Sequence, residues 1–547
     1  MANEGIVSLS ATHQLGTFAW RHVLAWRQLS IFWQIPVSHY LADRCFSKPK
    51  AAAVYSVAIR CGESSGDFAD QCCRIESPVV IFLDRANLRL SGSANGLRIE
   101  FQDHYLSKDR FRHVFRLEER HRLVEGLPKA VSIYGNCPMV TPLRIENGMQ
   151  VLVSLDGAPI IALHQRHLLV GADPWQFGVP SVPMLYKLLS NWLIHELGNQ
   201  HRVLEPYAAI RLDDLPSTAE SLKVYPPGRK LDRKRSRIIR RLRRFGRRTA
   251  TPFTLMYSSH FREANGSLTP ISSVMPRSIS EMQLGVKQGV FEIGSHGMVH
   301  LRNISSEPTT TDPREFVDLD APETVKHLDV CESEIVQLFG KKPQSFVAPA
   351  WGYRPGLTKQ IAAKRYPVIV DSSQHVESGL CEVLSSVGQE SGYLNMVETF
   401  RAGDRMLTYS NREFWQCYAA AGIPIHYMQH VDSNWGILKT LLKKKTDSMT
   451  EGAQENLRSR LLHLTENPRR SRSIRTICAA LLWTVYYALE PGSWEFLWRL
   501  LNRSSIYSFI RAMKRAGYRC VTVTELGTIT NCYLNSLNAE SCRKYRG

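Results

Sequence analysis

Two histidines at a spacing of four are the first candidates for chemistry in this sequence. In FEIGSHGMVH, residues 291–300, His296 and His300 follow an apolar stretch that is typical of a strand end. Residues four apart share one face of a helical turn, so both imidazoles can approach one ion. Taken alone, such a pair is more often structural than metal-binding. The metal hypothesis therefore depends on further ligands elsewhere in the chain.

An adjacent pair of carboxylates is the second candidate. The stretch RLDDLP places Asp213 and Asp214 at the end of a predicted strand, 208–213. Neighbouring side chains on a strand point to different sides, so one carboxylate can bind a cation while the other serves as a general base. The structural alternative is that Asp213 caps a helix.

Alternating strands and helices would bring these groups together. From about residue 205 onward, helical patterns separate seven predicted strands: 208–213, 252–257, 290–294, 344–349, 367–371, 423–429 and 518–523. This alternation is typical of a parallel sheet or barrel, in which the carboxyl ends of the strands share one rim. Later strand ends would add further groups to that rim: Pro349, Trp351, Gly352, Asp371, His426 and His430.

The order of these motifs resembles one known family. Asp-Asp-x-Pro, then HxxxH after EIGSH, a Pro and Trp-Gly segment, an Asp and a late His look like the polysaccharide deacetylases. This family is also called the NodB-homology group or carbohydrate esterase family 4. The resemblance covers roughly residues 205–530 and implies a distorted (β/α)7 barrel. It also implies hydrolytic removal of an N-acyl, acetyl-like group from a saccharide.

The resemblance implies a role for each motif residue. Asp214, His296 and His300 would hold a divalent metal, commonly zinc, and Asp213 would be the general base. The other roles fall on later motifs: Pro349, Trp351 and Gly352 in the substrate groove, His430 as general acid with His426 as second choice, and Asp371 as the partner that orients the acid.

This chain departs from the family pattern at three places. The arginine usual in the third motif falls on Ala348, and either Arg211 or Arg354 could supply the missing charge. Leu215 stands where the family tends to have glycine, and the residue after Asp371 is not the usual tryptophan. The competing hypothesis is therefore a barrel that has lost catalysis and serves as a binding module for an anionic partner.

Positive charge is concentrated in one segment. The chain has a net charge of +19, and residues 228–248 hold 12 Arg or Lys and one Asp. Ile238, Leu242 and Phe245 lie at helical spacing, which predicts a helix with one narrow apolar stripe and an otherwise cationic surface. Such charge favours an anionic neighbour: a membrane surface reached through residues 229–248, a phosphate-bearing substrate, or nucleic acid.

The rest of the chain divides into further predicted units. Residues 1–200 form an N-terminal α/β domain of unknown role, with strands at 79–85, 97–101 and 149–155, a turn at Asp156–Gly157 and a helix at 181–198. Residues 201–530 form the barrel, interrupted by a helical insertion at about 436–504 before the last strand. Residues 531–547 read as a polar tail.

The sequence shows no pattern of a secretory signal or of a transmembrane segment, and the cellular compartment is predicted from this. The first residues, MANEGIVSLSATHQLG, lack the pattern of a secretory signal. The 12 cysteines include no CxxC pair, which favours reduced thiols. The longest apolar run, 476–489, falls short of the roughly 18–20 residues needed to cross a bilayer. These features predict a cytoplasmic protein without a transmembrane span, either free or associated with a membrane surface.

Overall fold

The structure is a computed structural model that describes the chain in segments. The described residues are 6–10, 26, 29, 33, 35, 37–41, 54–60, 78–84, 87–93, 96–102, 112–118, 121–134, 140–145, 148–172, 182–198, 205–216, 229–263, 266–300, 314–354, 356–372, 394–398, 400–401, 411–430 and 506–532.

Strands and helices alternate along much of the described chain. The strands are β1 Ile6–Ser10, β2 Val37–Leu41, β3 Val54–Arg60, β4 Val79–Asp84, β5 Asn87–Ser93, β6 Gly96–Gln102, β7 Arg112–Leu117, β8 Ala130–Tyr134, β9 Leu143–Arg144, β10 Met149–Leu155, β11 Ala158–His164, β12 His167–Val170, β13 Tyr207–Leu215, β14 Phe253–Tyr257, β15 His260–Arg262, β16 Leu268–Pro270, β17 Phe291–Ser295, β18 Ser345–Val347, β19 Val368–Ser372, β20 Leu394–Glu398, β21 Phe400–Arg401, β22 Ile425–His430 and β23 Arg519–Val521. The α-helices are α1 Leu185–Leu197, α2 Arg229–Thr249, α3 Ile271–Val274, α4 Pro276–Lys287, α5 Ala321–Phe339, α6 Thr358–Ala363, α7 Arg412–Ala420 and α8 Ile506–Arg515.

The first large sheet contains nine strands from the N-terminal part of the chain. Its order is β2-β1-β3-β4-β12-β11-β10-β7-β8. The strands from β2 to β12 run parallel, and those from β12 to β8 run antiparallel. The predicted turn at Asp156–Gly157 joins β10 to β11, with φ of 52° and 90° at its two residues. Positive φ at both positions is what a tight hairpin turn of this kind requires.

The second large sheet carries the candidate site. Its order is β20-β19-β18-β17-β14-β13-β22-β21, and β23 also pairs with β13. Every pairing is parallel, and all seven predicted strands of this region are present. The sequence-based prediction missed β20 and β21. The observed fold is thus mixed α/β with a large parallel sheet, which confirms the predicted fold class in these two respects.

The two ends of the second sheet approach each other. β20 pairs with β19, and β21 begins two residues after β20 ends and pairs with β22. β20 also contacts β22. The sheet therefore curls, with small and apolar residues such as Ala209, Val347 and Val370 packed inside it. The closed (β/α)7 barrel stays a prediction.

Helix α2 is the predicted basic helix. Leu242 and Phe245 face inward and are buried, as predicted, and Leu231 and Ile239 are buried as well. Ile238, the remaining residue of the predicted stripe, is only partly buried. The helix packs against α4.

Side chains and helices connect the two large sheets. Helix α7 contacts both α1 and β8, and the rings of Tyr186 and Tyr418 meet edge to face at 6.2 Å. Trp33 donates a hydrogen bond to the Ala421 carbonyl at 3.0 Å. One apolar core thus continues from the first sheet to the second. The domain boundaries near residues 200 and 530 stay predictions, and the insertion at 436–504 lies outside the described residues.

No helix within the described segments is both long and apolar enough to cross a membrane. The apolar run at 476–489 lies outside those segments. Most of the predicted tail, from residue 533 onward, also lies outside them, whereas residues 523–532 are helical.

Candidate active site

A β-bulge separates the two adjacent carboxylates. Along the pairing of β13 with β14, Leu212 lies opposite Leu255 and Leu215 lies opposite Tyr257, so β13 holds one extra residue. Asp214 has a φ of 62°, a left-handed conformation that aspartate tolerates better than most residues. Bulges bend a strand and re-aim its side chains. The bulge therefore gives Asp214 a direction, relative to Asp213, that regular strand alternation would not give it.

Asp213 is paired with an arginine on its own strand. Arg211 Nε donates to Asp213 Oδ1 at 2.8 Å, and Nη2 donates to Oδ2 at 2.9 Å. The two side chains are 0% and 3% exposed. Residues two apart on a strand share one face, so the guanidinium can meet the carboxylate in a two-pronged contact. Arg354, the other candidate for the missing charge, instead donates to the Leu319 carbonyl at 2.8 Å.

The turn that carries the two histidines is held by its neighbours. It begins where β17 ends, and Gly297 adopts a left-handed φ of 80°. Ser258 Oγ donates to the His296 carbonyl at 3.0 Å, and the His260 amide donates to the Met298 carbonyl at 2.7 Å. Backbone contacts from the chain after β14 therefore fix this turn against the second sheet.

A buried glutamate also holds this turn. Glu315, which is 0% exposed, accepts a hydrogen bond from the Met298 amide at 2.8 Å and contacts His327 Nδ1 at 2.7 Å. A methyl group on Gly297 would lie 2.1 Å from Glu315 Oε2, so the turn and the carboxylate are closely packed. Sequence reasoning did not identify Glu315 or His327, because neither lies in a motif or near the histidines along the chain.

Asp214, His296 and His300 meet at one point. Asp214 Oδ1 lies 3.4 Å from His296 Nε2 and 3.3 Å from His300 Nε2. The three potential ligand atoms all lie within 4.8 Å of one another. Two ligands on a tetrahedral zinc ion at about 2.0–2.1 Å are about 3.3–3.4 Å apart. The spacing therefore fits a divalent ion held by one carboxylate and two imidazoles.

The hydrogen bond of His296 sets which nitrogen faces Asp214. His296 Nδ1 lies 2.9 Å from the Val347 carbonyl, which can only accept, so Nδ1 carries the proton. The lone pair is then on Nε2, the atom that faces Asp214. Metal-ligating histidines are commonly oriented in this way by a second hydrogen bond. Asp214 is 20% exposed and His300 is 11% exposed, so the cluster is partly open to solvent.

The third motif follows directly after the strand that orients His296. Residues 349–351 form a short 3-10 turn, and Ala350 and Trp351 have positive φ of 48° and 52°. Pro349 is buried, Trp351 is half-buried, and Gly352 packs against Arg314 and Val317. Because Val347 contacts His296, this turn lies close to the cluster.

The strand register separates the two late histidines. His430 occupies the position on β22 that pairs with Asp213, whereas His426 pairs with Ala209. Four residues along a strand correspond to about 13 Å, so His426 lies much deeper along the sheet than the Asp213 level. Asp371 lies on β19, in register with Val397 of β20.

No family model matches the chain, and a search of curated proteins gives no match. Solved structures do match. One is the carbohydrate esterase family 4 domain of a multidomain xylanase from the hindgut metagenome of Trinervitermes trinervoides. It is 13% identical, with a TM-score of 0.26, over 59% of this chain and 89% of that one. A deacetylase solved with substrate gives 13% identity and a TM-score of 0.26 over 59% and 90%.

A third match is a carbohydrate esterase family 4 pseudoenzyme from Bacillus anthracis. It is 11% identical, with a TM-score of 0.24, over 45% of this chain and 63% of that one. Two of these three structures are described as members of the family that the sequence motifs resemble. Because all three TM-scores are below 0.3, the functional proposal rests on the geometry of the site.

Proposed function

We propose that this chain is a metal-dependent hydrolase that removes an N-acyl, acetyl-like group from a saccharide or a saccharide-containing intermediate. The observation that supports this most is the position of Asp214 Oδ1, 3.3–3.4 Å from the Nε2 atoms of His300 and His296. One carboxylate and two imidazoles leave coordination positions open, as a catalytic site requires. Zinc is the proposed ion.

The residues around the ion site would share the chemistry as follows. When bound, a divalent ion would lower the pKa of a coordinated water and polarise the acyl carbonyl. Asp213 would take the proton of the attacking water, and Arg211 would hold its carboxylate in one orientation. Asp214, His296 and His300 would do no proton transfer, because their ligand atoms face the ion site.

Departure of the amine requires an acid on the other side of the bond. His430 is the proposed general acid. The support is that it is the residue of β22 in register with Asp213, and Asp371 is proposed to orient it. His426 is the weaker candidate because it lies four residues deeper on β22. Pro349, Trp351 and Gly352 are proposed to form one wall of the groove that receives the sugar. The closed (β/α)7 barrel and a cytoplasmic location belong to the same proposal.

The test combines metal content with acyl release. Purified wild type, His296→Ala, His300→Ala and Asp214→Asn are analysed for bound zinc and for acetate released from a panel of N-acetylated oligosaccharides. His195→Ala is the control, because His195 contacts Glu196 on α1, away from the second sheet. We expect stoichiometric zinc and activity in the wild type and the control only. Full zinc content in both histidine variants would refute the ligand assignment.

A second candidate is a catalytically impaired barrel that binds an anionic partner. Ala348 in the third motif and the arginine-rich helix α2 are the observations that favour it. The pairing of Arg211 with Asp213 weighs against it, because the charge missing at position 348 is present beside the proposed base. Salt-sensitive binding that survives Asp213→Asn and His296→Ala, without any acetate release by the wild type, would favour this candidate.

A further inference from the structure

Helix α2 presents an unusual surface. Seven arginines of this described helix are exposed, and they recur every three or four residues along one face: Arg233, Arg237, Arg240, Arg241, Arg244, Arg247 and Arg248. This set is called the arginine face below. From its first to its last member the helix rises by about 22 Å. The arginine face is therefore a straight cationic stripe rather than a compact pocket.

The side of α2 opposite the arginine face packs against the rest of the protein. Asp232 accepts hydrogen bonds from the amides of Arg277 and Ser278 at 3.1 and 2.9 Å, at the start of α4. Leu242 and Phe245 are buried, and Lys514 of α8 donates to the Thr249 carbonyl at the end of the helix. The arginine face is therefore held in a constant orientation.

Among the described residues, an acidic side chain pairs with α2 along one edge of the arginine face. Glu281 of α4 pairs with Arg240 at 2.6 Å and with Arg243 at 3.0 Å, along one edge of the arginine face. The neighbouring helix α8 adds exposed Arg511 and Arg515. Clustered like charges in ordinary solvent repel one another, so a dense arginine face is stabilised by an anionic surface laid against it.

We propose that the arginine face docks this protein reversibly on an anionic phospholipid surface. Arginine forms two-pronged hydrogen bonds with phosphate, and basic clusters on a helix are attracted to membranes that contain anionic lipids. A straight stripe can place all its guanidinium groups on a flat surface at the same time. The apolar residues of α2 face inward, so attachment is electrostatic and does not insert the helix.

Nucleic acid is the less suitable polyanion. Sites for single strands combine cations with exposed aromatic rings on which bases stack. Here Phe245 is buried and Tyr507 is half-buried. Base reading in a duplex uses Asn and Gln beside Arg, and α2 contains neither Asn nor Gln. The proposal does not depend on the hydrolase function, because none of the arginine face belongs to the candidate active site.

Sedimentation of the full chain with vesicles tests this proposal. The vesicles contain phosphatidylcholine alone or with phosphatidylserine, at low and at physiological salt. The test variant replaces Arg237, Arg241, Arg244 and Arg248 by Gln, which keeps helix propensity similar. The control variant removes four exposed positive charges elsewhere, at Lys287, Lys326, Lys341 and Lys364, also by Gln.

We expect binding to the phosphatidylserine vesicles only, weakened by salt. The arginine variant should lose at least about tenfold in affinity, whereas the lysine variant loses much less. Circular dichroism establishes that both variants are folded. Equal losses in the two variants would show that only net charge matters and would overturn the proposal. Tighter binding of a DNA oligonucleotide than of vesicles at the same salt would also overturn it, in favour of nucleic acid.

Discussion

Arg211 and Asp213 lie two residues apart on β13, and their largely buried side chains form two hydrogen bonds with each other. Ala348 stands at the position where the family resemblance led us to expect an arginine. The pairing thus supplies, from the strand of the proposed base itself, a charge that the third motif lacks.

Breaking this pair should affect stability and activity differently. Arg211→Met leaves a buried carboxylate unpaired, so we expect the free energy of unfolding to fall by about 3–5 kcal/mol, with loss of deacylase turnover. Arg211→Met combined with Asp213→Asn should regain much of the stability but none of the activity. Urea denaturation and acetate release measure the two effects.

The control for this pair is a surface contact. Arg365→Met removes a pair with Asp329, whose side chain is 57% exposed, and a longer contact with Glu332, which keeps its pair with Lys342. It should change stability by at most about 1 kcal/mol. If Arg211→Met were as mild as Arg365→Met and remained active, Arg211 would not support the proposed base.

Zinc should stabilise the folded chain through the three proposed ligands. A ligand that binds only the folded state raises the free energy of unfolding by about 2.7 kcal/mol when its free concentration is a hundred times its dissociation constant. We therefore expect the melting temperature of chelator-treated protein to rise as zinc is added back. His300→Ala should abolish most of this rise, and His195→Ala should keep it. A rise of equal size in His300→Ala would point to a different zinc site.

Two glycine substitutions separate backbone cost from packing at the histidine turn. Gly289 and Gly297 have φ of 66° and 80°, so alanine at either should cost about 1 kcal/mol for the left-handed conformation. Around Gly289 no atom lies within 4 Å of the added methyl, whereas at Gly297 it meets Glu315 Oε2.

We therefore expect Gly297→Ala to be less stable than Gly289→Ala by a further ~1–3 kcal/mol, and to bind zinc more weakly. Chemical denaturation and zinc titration provide the readouts. Identical stability and zinc affinity in the two variants would mean that the Glu315 contact does not constrain the turn.

Substitution of His430 should mainly lower kcat, whereas substitution of His426 should mainly lower stability. His430→Asn removes the proposed acid, so we expect kcat to fall by about 10²–10⁴-fold with zinc content unchanged. His426 is buried at the level of Ala209, so His426→Asn should lower stability more than it lowers kcat per folded molecule. Turnover normalised to bound zinc discriminates the two. The opposite pattern would assign the acid role to His426.

Burial of His167 should make stability depend on pH. Burial, with His164 and Arg166 nearby, lowers the pKa of His167 below 6.5, so the unfolded chain binds its proton more readily than the folded chain. The stability contributed by neutral His167 is complete above pH 6.5 and is lost as the pH falls through the lowered pKa. His167→Gln should flatten this part of the unfolding curve. Parallel curves for wild type and variant below pH 6.5 would contradict the shift.

Local patterns in the sequence determined most of the elements that carry the site. Runs rich in β-branched and apolar residues predicted seven of the nine strands of the second sheet. The strand Ser345–Val347 is half as long as its predicted range, 344–349. The segment that forms β20 and β21 was missed, because LNMVETFR mixes polar and apolar residues without a clear alternation.

The sequence by itself also determined which residues could bind a metal, because HxxxH and Asp-Asp occur at predicted strand ends. The family resemblance already implied that Asp214 rather than Asp213 belongs with the histidines. Only the tertiary structure showed the bulge in β13 beside Asp214, decided that Arg211 rather than Arg354 contacts Asp213, and revealed that Glu315 holds the histidine turn. The physical reason is that periodicity reports contacts within a few residues along the chain. A bulge in strand register and a contact across the fold depend on how distant segments pack.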